Sequence, residues 1–157
     1  MREPSRALDK TLKRLCVELS AVTEDWWLIG SAALAVHGVR VANVADVDVL
    51  TTPLGAAQLA ERWGAAPISP GPSDRFRSDL FLRWIDAPLP VEVMAGLHLN
   101  TPRGWQAIWP RSRVGVAWRG ATCFTPSRAE LLEILELFDR PKDRERAAAL
   151  RALSAGR

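Results

Sequence analysis

The stretch "WWLIGSAALAVHGVRVANVADVDVL", residues 26–50, runs from an apolar tetrad straight into Gly30-Ser31 and ends with Asp46 and Asp48 separated by one valine. "ADVDVLTT" alternates these aspartates with Val47 and Val49, the period-two pattern of a strand with one polar and one apolar face. On such a strand the two aspartates share a face, with Cα atoms about 6.6 Å apart at a rise of ~3.3 Å per residue. Like charges this close repel, and an unpaired charge turned toward a core is costly unless a cation sits between the two groups. The plainer reading of an Asp-x-Asp is the solvated face of an edge strand.

Upstream, "WWLI" reads as a short buried strand that Gly30-Ser31 turns into a helix, "SAALAVHG", with Gly38 suited to its C-terminal cap. A strand that ends in Gly-Ser and enters a helix presents free backbone N–H groups, a site for phosphate oxygens. Alternatively, Ser31 simply caps the helix. Downstream, Pro53 fits the first turn of a helix running to about Trp63, and "PISPGPSDR" is a loop leading into "DLFLRWID". "LPVEVMAG" is a second alternating strand with Glu92 on its polar phase. A neighbouring strand of this kind would bring Glu92 to Asp46 and Asp48 as a third hard oxygen ligand, enough for two Mg²⁺ ions about 3.5 to 4 Å apart.

The remaining segments supply the frame. Leu8, Leu12, Leu15, Leu19 and Val22 recur at helical spacing from a start near Pro4. "VGVAW" and "TCFTP" form a hairpin about Arg119-Gly120, and a short aromatic segment, "GWQAIWP", precedes it. Ser127 and Glu130 make a capping box for a helix whose inward face is Leu131, Ile134, Leu135 and Phe138, and Pro141 opens a final helix, "KDRERAAALRAL". The expectation is an α/β (α+β) fold: one domain over residues 1–157, with a small mixed sheet and helices packed on it.

With 157 residues, 48% of them hydrophobic and 25% charged, the composition is that of an ordinary globular domain with fraying expected only at residues 1–3 and 154–157. The longest apolar stretch, residues 26–39, falls short of the ~20 a membrane helix needs. The charged N-terminus has no apolar signal core, so a cytoplasmic protein with reduced Cys16 and Cys123 is expected. Residues 1–100 hold 10 Lys/Arg against 12 Asp/Glu and residues 101–157 hold 11 against 6, so the C-terminal third is basic and suited to a polyanion such as RNA.

"LIGS", "DVDVL" and "VEVM", in that order, resemble the signature of the nucleotidyltransferase superfamily with the polymerase-beta-like fold. The likeness is to its small bacterial branch of minimal and antibiotic nucleotidyltransferases and abortive-infection toxins. "RPKDRERAAAL" is similar to that family's "R-x-KD" segment, so the resemblance spans most of the chain. It implies that Gly30 and Ser31 hold the triphosphate of an NTP such as ATP, and that Asp46, Asp48 and Glu92 are the catalytic carboxylates binding two Mg²⁺, with Mn²⁺ as the alternative. Lys142 would reach phosphate. Arg40, in the linker toward Asp46, reads independently of the resemblance as a phosphate or acceptor contact, or equally as a solvated loop arginine. The implied reaction is NMP transfer to a hydroxyl of a small molecule, tRNA or protein, with a toxin-antitoxin setting among the options and a monomer or homodimer as the working unit. The chain departs from the pattern in its 14-residue linker between Ser31 and Asp46, in the Glu at 92, and in Leu135 and Glu136 where some relatives carry a lysine.

Other residues read as structural. Trp26, Trp27 and Trp63 sit in core phases, whereas Trp84, Trp105, Trp109 and Trp118 are candidates to stack on a base. His37 has no ligand partner at metal spacing and reads as packed, and Arg75 and Arg77 either close over a ligand or keep the proline-rich loop soluble. The rival functional class is a catalytically degenerate module of the same fold that binds nucleotide or a protein partner; a third is a basic RNA-binding protein.

Overall fold

A computed structural model of the chain describes residues 6–41, 43–69 and 73–155. The expected helix start at Pro4, the chain ends at 1–3 and 156–157, and residues 70–72 of the proline-rich loop lie outside the described residues. In chain order the elements are α1 (Arg6–Ser20), β1 (Trp26–Ile29), α2 (Gly30–Val36), β2 (Val47–Thr51), α3 (Pro53–Trp63), β3 (Phe76–Arg77), β4 (Leu80–Trp84), β5 (Val91–Ala95), β6 (His98–Thr101), β7 (Gly104–Ala107), β8 (Val114–Trp118), β9 (Ala121–Thr125), α4 (Arg128–Phe138) and α5 (Pro141–Ala155). This is an α+β fold, and α5 stays helical past the Ser154 at which fraying was expected.

The central sheet has strand order β1-β2-β5-β4 and is mixed: β2 and β5 run parallel, and the two outer pairings are antiparallel. Alternation sorts its side chains onto two faces. Trp26, Leu28, Val47, Val49, Leu82, Trp84, Val91 and Val93 turn into the main core, which also takes in Leu8, Leu12, Leu15 and Leu19 from α1 and Ala56 and Leu59 from α3. The opposite phase, Trp27, Ile29, Leu50 and Met94, builds a second cluster with Leu97, Leu99 and Ile108 and with Ile134 and Phe138 of α4. The strands are therefore apolar on both faces, and a polar side chain on the second face lies between sheet and helix. Asp48 and Glu92 hold those positions.

Two smaller sheets flank this one. The first four residues of the short aromatic segment, "GWQA", form strand β7 and complete a three-stranded sheet ordered β3-β6-β7. The β8-β9 hairpin closes through Arg119 and Gly120, both at positive φ (45° and 89°), as a two-residue turn matched to strand twist requires. Phe124 meets Trp26 edge to face at 5.3 Å, and the Cys123 thiol lies 3.8 Å from that of Cys16 on α1, both cysteines being free.

The capping box is only half formed. The Ser127 hydroxyl accepts the Glu130 N–H at 3.2 Å, as expected, but the Glu130 carboxylate does not return to Ser127. It accepts the backbone N–H groups of Arg111 and Ser112, each at 2.7 Å, as well as the Ser112 hydroxyl. The Ser127 N–H is bonded instead to the Ser112 hydroxyl at 2.9 Å. Two loop N–H groups would otherwise be left without acceptors beside a buried helix start, so the carboxylate is more useful there. Those bonds hold Glu130 below the ordinary carboxylate range against the opposing effect of burial.

Candidate active site

The register of the central sheet places Ile29 opposite Asp48, Asp48 opposite Glu92, and Glu92 opposite Arg83. One row across four strands thus carries two carboxylates and a guanidinium, and Asp46 stands one residue before β2 begins. One oxygen from each of Asp46, Asp48 and Glu92 lies within 4.8 Å of the others. That span is close to the ~4.2 Å between opposite oxygens of an octahedral ion with ~2.1 Å bonds, and three partly buried hard oxygen donors are the chemistry Mg²⁺ or Mn²⁺ takes. The residues therefore fit a divalent cation.

Electrostatics agree. Burial, with the charges of Asp46 and Glu92 added, pushes the Asp48 carboxyl up to about 7, against the opposing pull of Arg146 and Lys142. Asp46 is raised as well, first by burial and then by Glu92, and is partly relieved by Lys142, Arg146 and Arg83. Carboxyl groups held this far from their ordinary range are short of positive charge, and perturbed groups of this kind cluster at functional sites.

Gly30 explains how the helix start can approach these carboxylates. Its φ is +67°, and a Cβ built there would lie 3.0 Å from Asp48 Oδ2, so both the backbone conformation and the contact call for glycine. Helix α2 starts at Gly30 with Ile29 as N-cap and no side-chain capping bond, so Ser31 does not cap it. Ser31 is buried inside the first turn and lines the same cavity as the acids.

That cavity, about 260 Å³, is lined on one side by Gly30, Ser31, Asp46, Asp48 and Glu92. Arg77, Arg140, Lys142, Asp143 and Arg146 form a second, largely basic wall. Apart from Ser73 and Ser78, the remainder is apolar: Ile29, Phe76, Phe81, Met94 and Leu97, with Leu131, Ile134, Leu135 and Phe138 of α4. An acidic floor, a basic wall and an apolar chamber together suit a metal-bound phosphate ester with an uncharged body.

No protein-family model matches the chain, and no curated protein sequence does. Solved structures do. A Thermotoga maritima protein described as a nucleotidyltransferase superposes with a TM-score of 0.67 at 22% identity, covering 93% of this chain and 91% of its own. The lincomycin-bound lincosamide antibiotic adenylyltransferase LnuA gives 0.61 at 9% identity, over 96% and 98%. The antibiotic-resistance factor ANT(2'')-Ia gives 0.50 at 12% identity, over 94% and 93%. The chain has the nucleotidyltransferase fold.

On this nucleotidyltransferase fold, the sequence-derived residues separate into two groups. Gly30, Ser31, Asp46, Asp48, Glu92 and Lys142 line one cavity. Arg40 is exposed on the linker and is not among the lining residues. The candidate stacking tryptophans are elsewhere too: Trp84 is buried and stacks on Trp63 at 4.9 Å, Trp105 lies under Arg77, Trp109 meets Trp27 edge to face, and Trp118 lies under Arg119. His37 is packed as expected, with Nε2 2.7 Å from the Thr125 hydroxyl, and burial lowers its pKa. Arg75 donates to the Phe138 carbonyl, whereas Arg77 reaches the cavity.

Sequence reading missed three contributors. Arg83 bonds Glu92 Oε2 at 2.7 Å, and its strand position opposite a carboxylate was readable only once the β4-β5 pairing was known. Asp143, 1% exposed, accepts from Arg140 Nε at 2.5 Å and Nη2 at 3.1 Å and lies 3.9 Å from Arg146, so it fixes two arginines of the basic wall. Arg146 follows Lys142 by four residues, one helical turn, a spacing that was visible in the sequence. Among the described residues no helix is long and apolar enough to cross a membrane.

Proposed function

We propose that this protein is a divalent-metal-dependent nucleotidyltransferase that moves an NMP from an NTP to a hydroxyl of an acceptor. The observation that carries the reading is the meeting of three carboxylate oxygens within 4.8 Å in a cavity that also holds the Gly30-Ser31 helix start and a basic wall. Asp46, Asp48 and Glu92 would hold Mg²⁺, or Mn²⁺, as metal ligands. Bound there, the metal supplies charge neutralisation at the phosphates and lowers the pKa of the acceptor hydroxyl.

The chain's own residues do the rest. Backbone N–H groups at Gly30 and Ser31 orient phosphate oxygens, and Lys142 and Arg146 offset the charge that builds on the departing pyrophosphate. Glu92 keeps 21% of its side chain exposed and is the carboxylate we assign to receive the acceptor's proton. The apolar chamber takes an uncharged ring or aliphatic body, from the nucleobase or from the acceptor. Among a small molecule, a tRNA and a protein, a pocket of about 260 Å³ with an apolar lining suits the small molecule, in keeping with LnuA and ANT(2'')-Ia, two antibiotic-directed proteins of like fold. Arg40 would meet nucleotide or acceptor only beyond the cavity rim. A toxin-antitoxin setting and a cytoplasmic location belong to the same proposal.

The test is transfer of α-³²P-labelled NMP, assayed with each of the four NTPs and Mg²⁺ or Mn²⁺ against a panel of hydroxyl acceptors, with pyrophosphate release as a second readout. Activity in wild type that disappears in an Asp46→Ala/Asp48→Ala variant of unchanged fold is expected; equal activity in both would refute the assignment. One observation favours a second reading, a nucleotide-binding module without turnover: Glu92 is already engaged by Arg83. That reading predicts metal-dependent NTP binding with no transfer to any acceptor.

A further inference from the structure

The three carboxylates are not equivalent. Glu92 is ion-paired with Arg83 at 2.7 Å, whereas no ion pair is found for Asp46 or Asp48 among the described residues. Strand β4 is the edge of the central sheet, so Arg83 closes the row that runs Ile29, Asp48, Glu92, Arg83. Of the other cations lining the cavity, Arg77 lies over Trp105, Arg140 and Arg146 pair with Asp143, and Lys142 is exposed. Arg83 is thus the cation in direct contact with a member of the triad.

We propose that Arg83 is a built-in competitor of the divalent cation for Glu92, a positioning residue that sets the metal affinity of the site. The inference rests on the nucleotidyltransferase reading above. A carboxylate oxygen bonded to a guanidinium is a poorer metal ligand, and a fixed positive charge beside the triad opposes a doubly charged ion. In the metal-free protein the same guanidinium offsets repulsion among three acids, which keeps Glu92 in the row. Arg83 therefore acts in both directions: it steadies the empty triad and weakens the loaded one. The side chain of Arg83 is 49% exposed, so it is free to swing into solvent when a cation takes Glu92.

The experiment is titration of the full chain with Mn²⁺ alone, free Mn²⁺ being read by electron paramagnetic resonance at fixed ionic strength. It compares wild type with Arg83→Gln, Arg83→Lys and Asp46→Asn/Asp48→Asn, each checked for fold by circular dichroism. Loss of a half-exposed ion pair and of one unit charge beside a dication should tighten Mn²⁺ binding about tenfold in Arg83→Gln. Arg83→Lys, which keeps the charge, should stay within about threefold of wild type on the same reasoning. Unchanged or weaker binding in Arg83→Gln overturns the proposal and leaves the metal site standing, provided the double Asn variant binds no Mn²⁺. If neither wild type nor Arg83→Gln binds Mn²⁺, the metal-site reading falls and this proposal with it.

Discussion

Replacing Asp48 with asparagine should stabilise the metal-free protein at alkaline pH. The Asp48 carboxyl titrates at about 7 in the folded chain against 3.8 for an ordinary aspartate, because it is buried beside Asp46 and Glu92. A raised folded pKa means that the folded state binds the proton more tightly. The associated stability is full below 3.8 and is lost as pH rises through about 7. The displacement corresponds to a ceiling of about 4 kcal/mol, and water in the cavity screens part of it, so about 2 kcal/mol is the expected effect. An asparagine side chain at this position never ionises and escapes that cost. In EDTA at pH 8, Asp48→Asn should therefore melt about 4–8 °C above wild type for a chain of this size. At pH 4.5 folded wild type keeps its proton but an unfolded aspartate is already mostly ionised, so the gap should shrink to about half and close only below pH 3.8. Adding Mg²⁺ at pH 8 should raise the wild-type melting temperature and leave the variant's nearly unmoved. The assay is differential scanning calorimetry across pH 4.5–8. A variant no more stable than wild type at pH 8, or an advantage that does not shrink toward acid pH, would refute the reasoning.

Other perturbations test neighbouring parts of the site. Gly30→Ala forces a side chain into positive φ and against Asp48 Oδ2, so it should cost about 1–2 kcal/mol in urea denaturation and abolish nucleotide-induced stabilisation. Asp143→Ala leaves the half-buried Arg140 and Arg146 without their carboxylate; a loss of about 1–2 kcal/mol is expected, together with weaker NTP binding by calorimetry. Lys142→Ala is exposed and should fold normally, with a KM for NTP raised severalfold if it reaches phosphate. His37, held by Thr125 and lowered in pKa by burial, makes folding less favourable as pH falls below 6.5, and His37→Gln should remove that part of the acid sensitivity in a melting series.

Most of the central sheet and of the elements around it was legible because the signals are local. Alternation marked β2 and β5, Pro53 opened α3, and Arg119-Gly120 marked the turn that joins β8 to β9. The three-stranded β3-β6-β7 sheet was not legible: Phe76–Arg77 is two residues long, and Gly104–Ala107 is exposed throughout, so neither leaves an apolar period in the sequence. The same division runs through the site. Gly30, Ser31, Asp46, Asp48 and Glu92 announce themselves by residue type and spacing. The apolar chamber is built from Phe76, Phe81, Leu97 and Phe138, which sequence alone assigns to any core.

Glu130 and Glu92 show why the partners of a carboxylate are harder to read than its place. Each stands where its local pattern put it, on the first turn of α4 and on the polar phase of β5. What each binds is decided by a segment distant in sequence or paired across the sheet: the N–H groups of Arg111 and Ser112 for one, the Arg83 guanidinium for the other. For Glu130 the outcome is a structural anchor with every oxygen occupied. For Glu92 one oxygen is held by a half-exposed arginine that can leave, and the nearby aspartates have no such counter-charge among the described residues. An acid row short of positive charge, with one replaceable guanidinium at its edge, is built to exchange an internal cation for an external one. The Mn²⁺ titration of the Arg83 variants measures that exchange directly, whatever the acceptor proves to be.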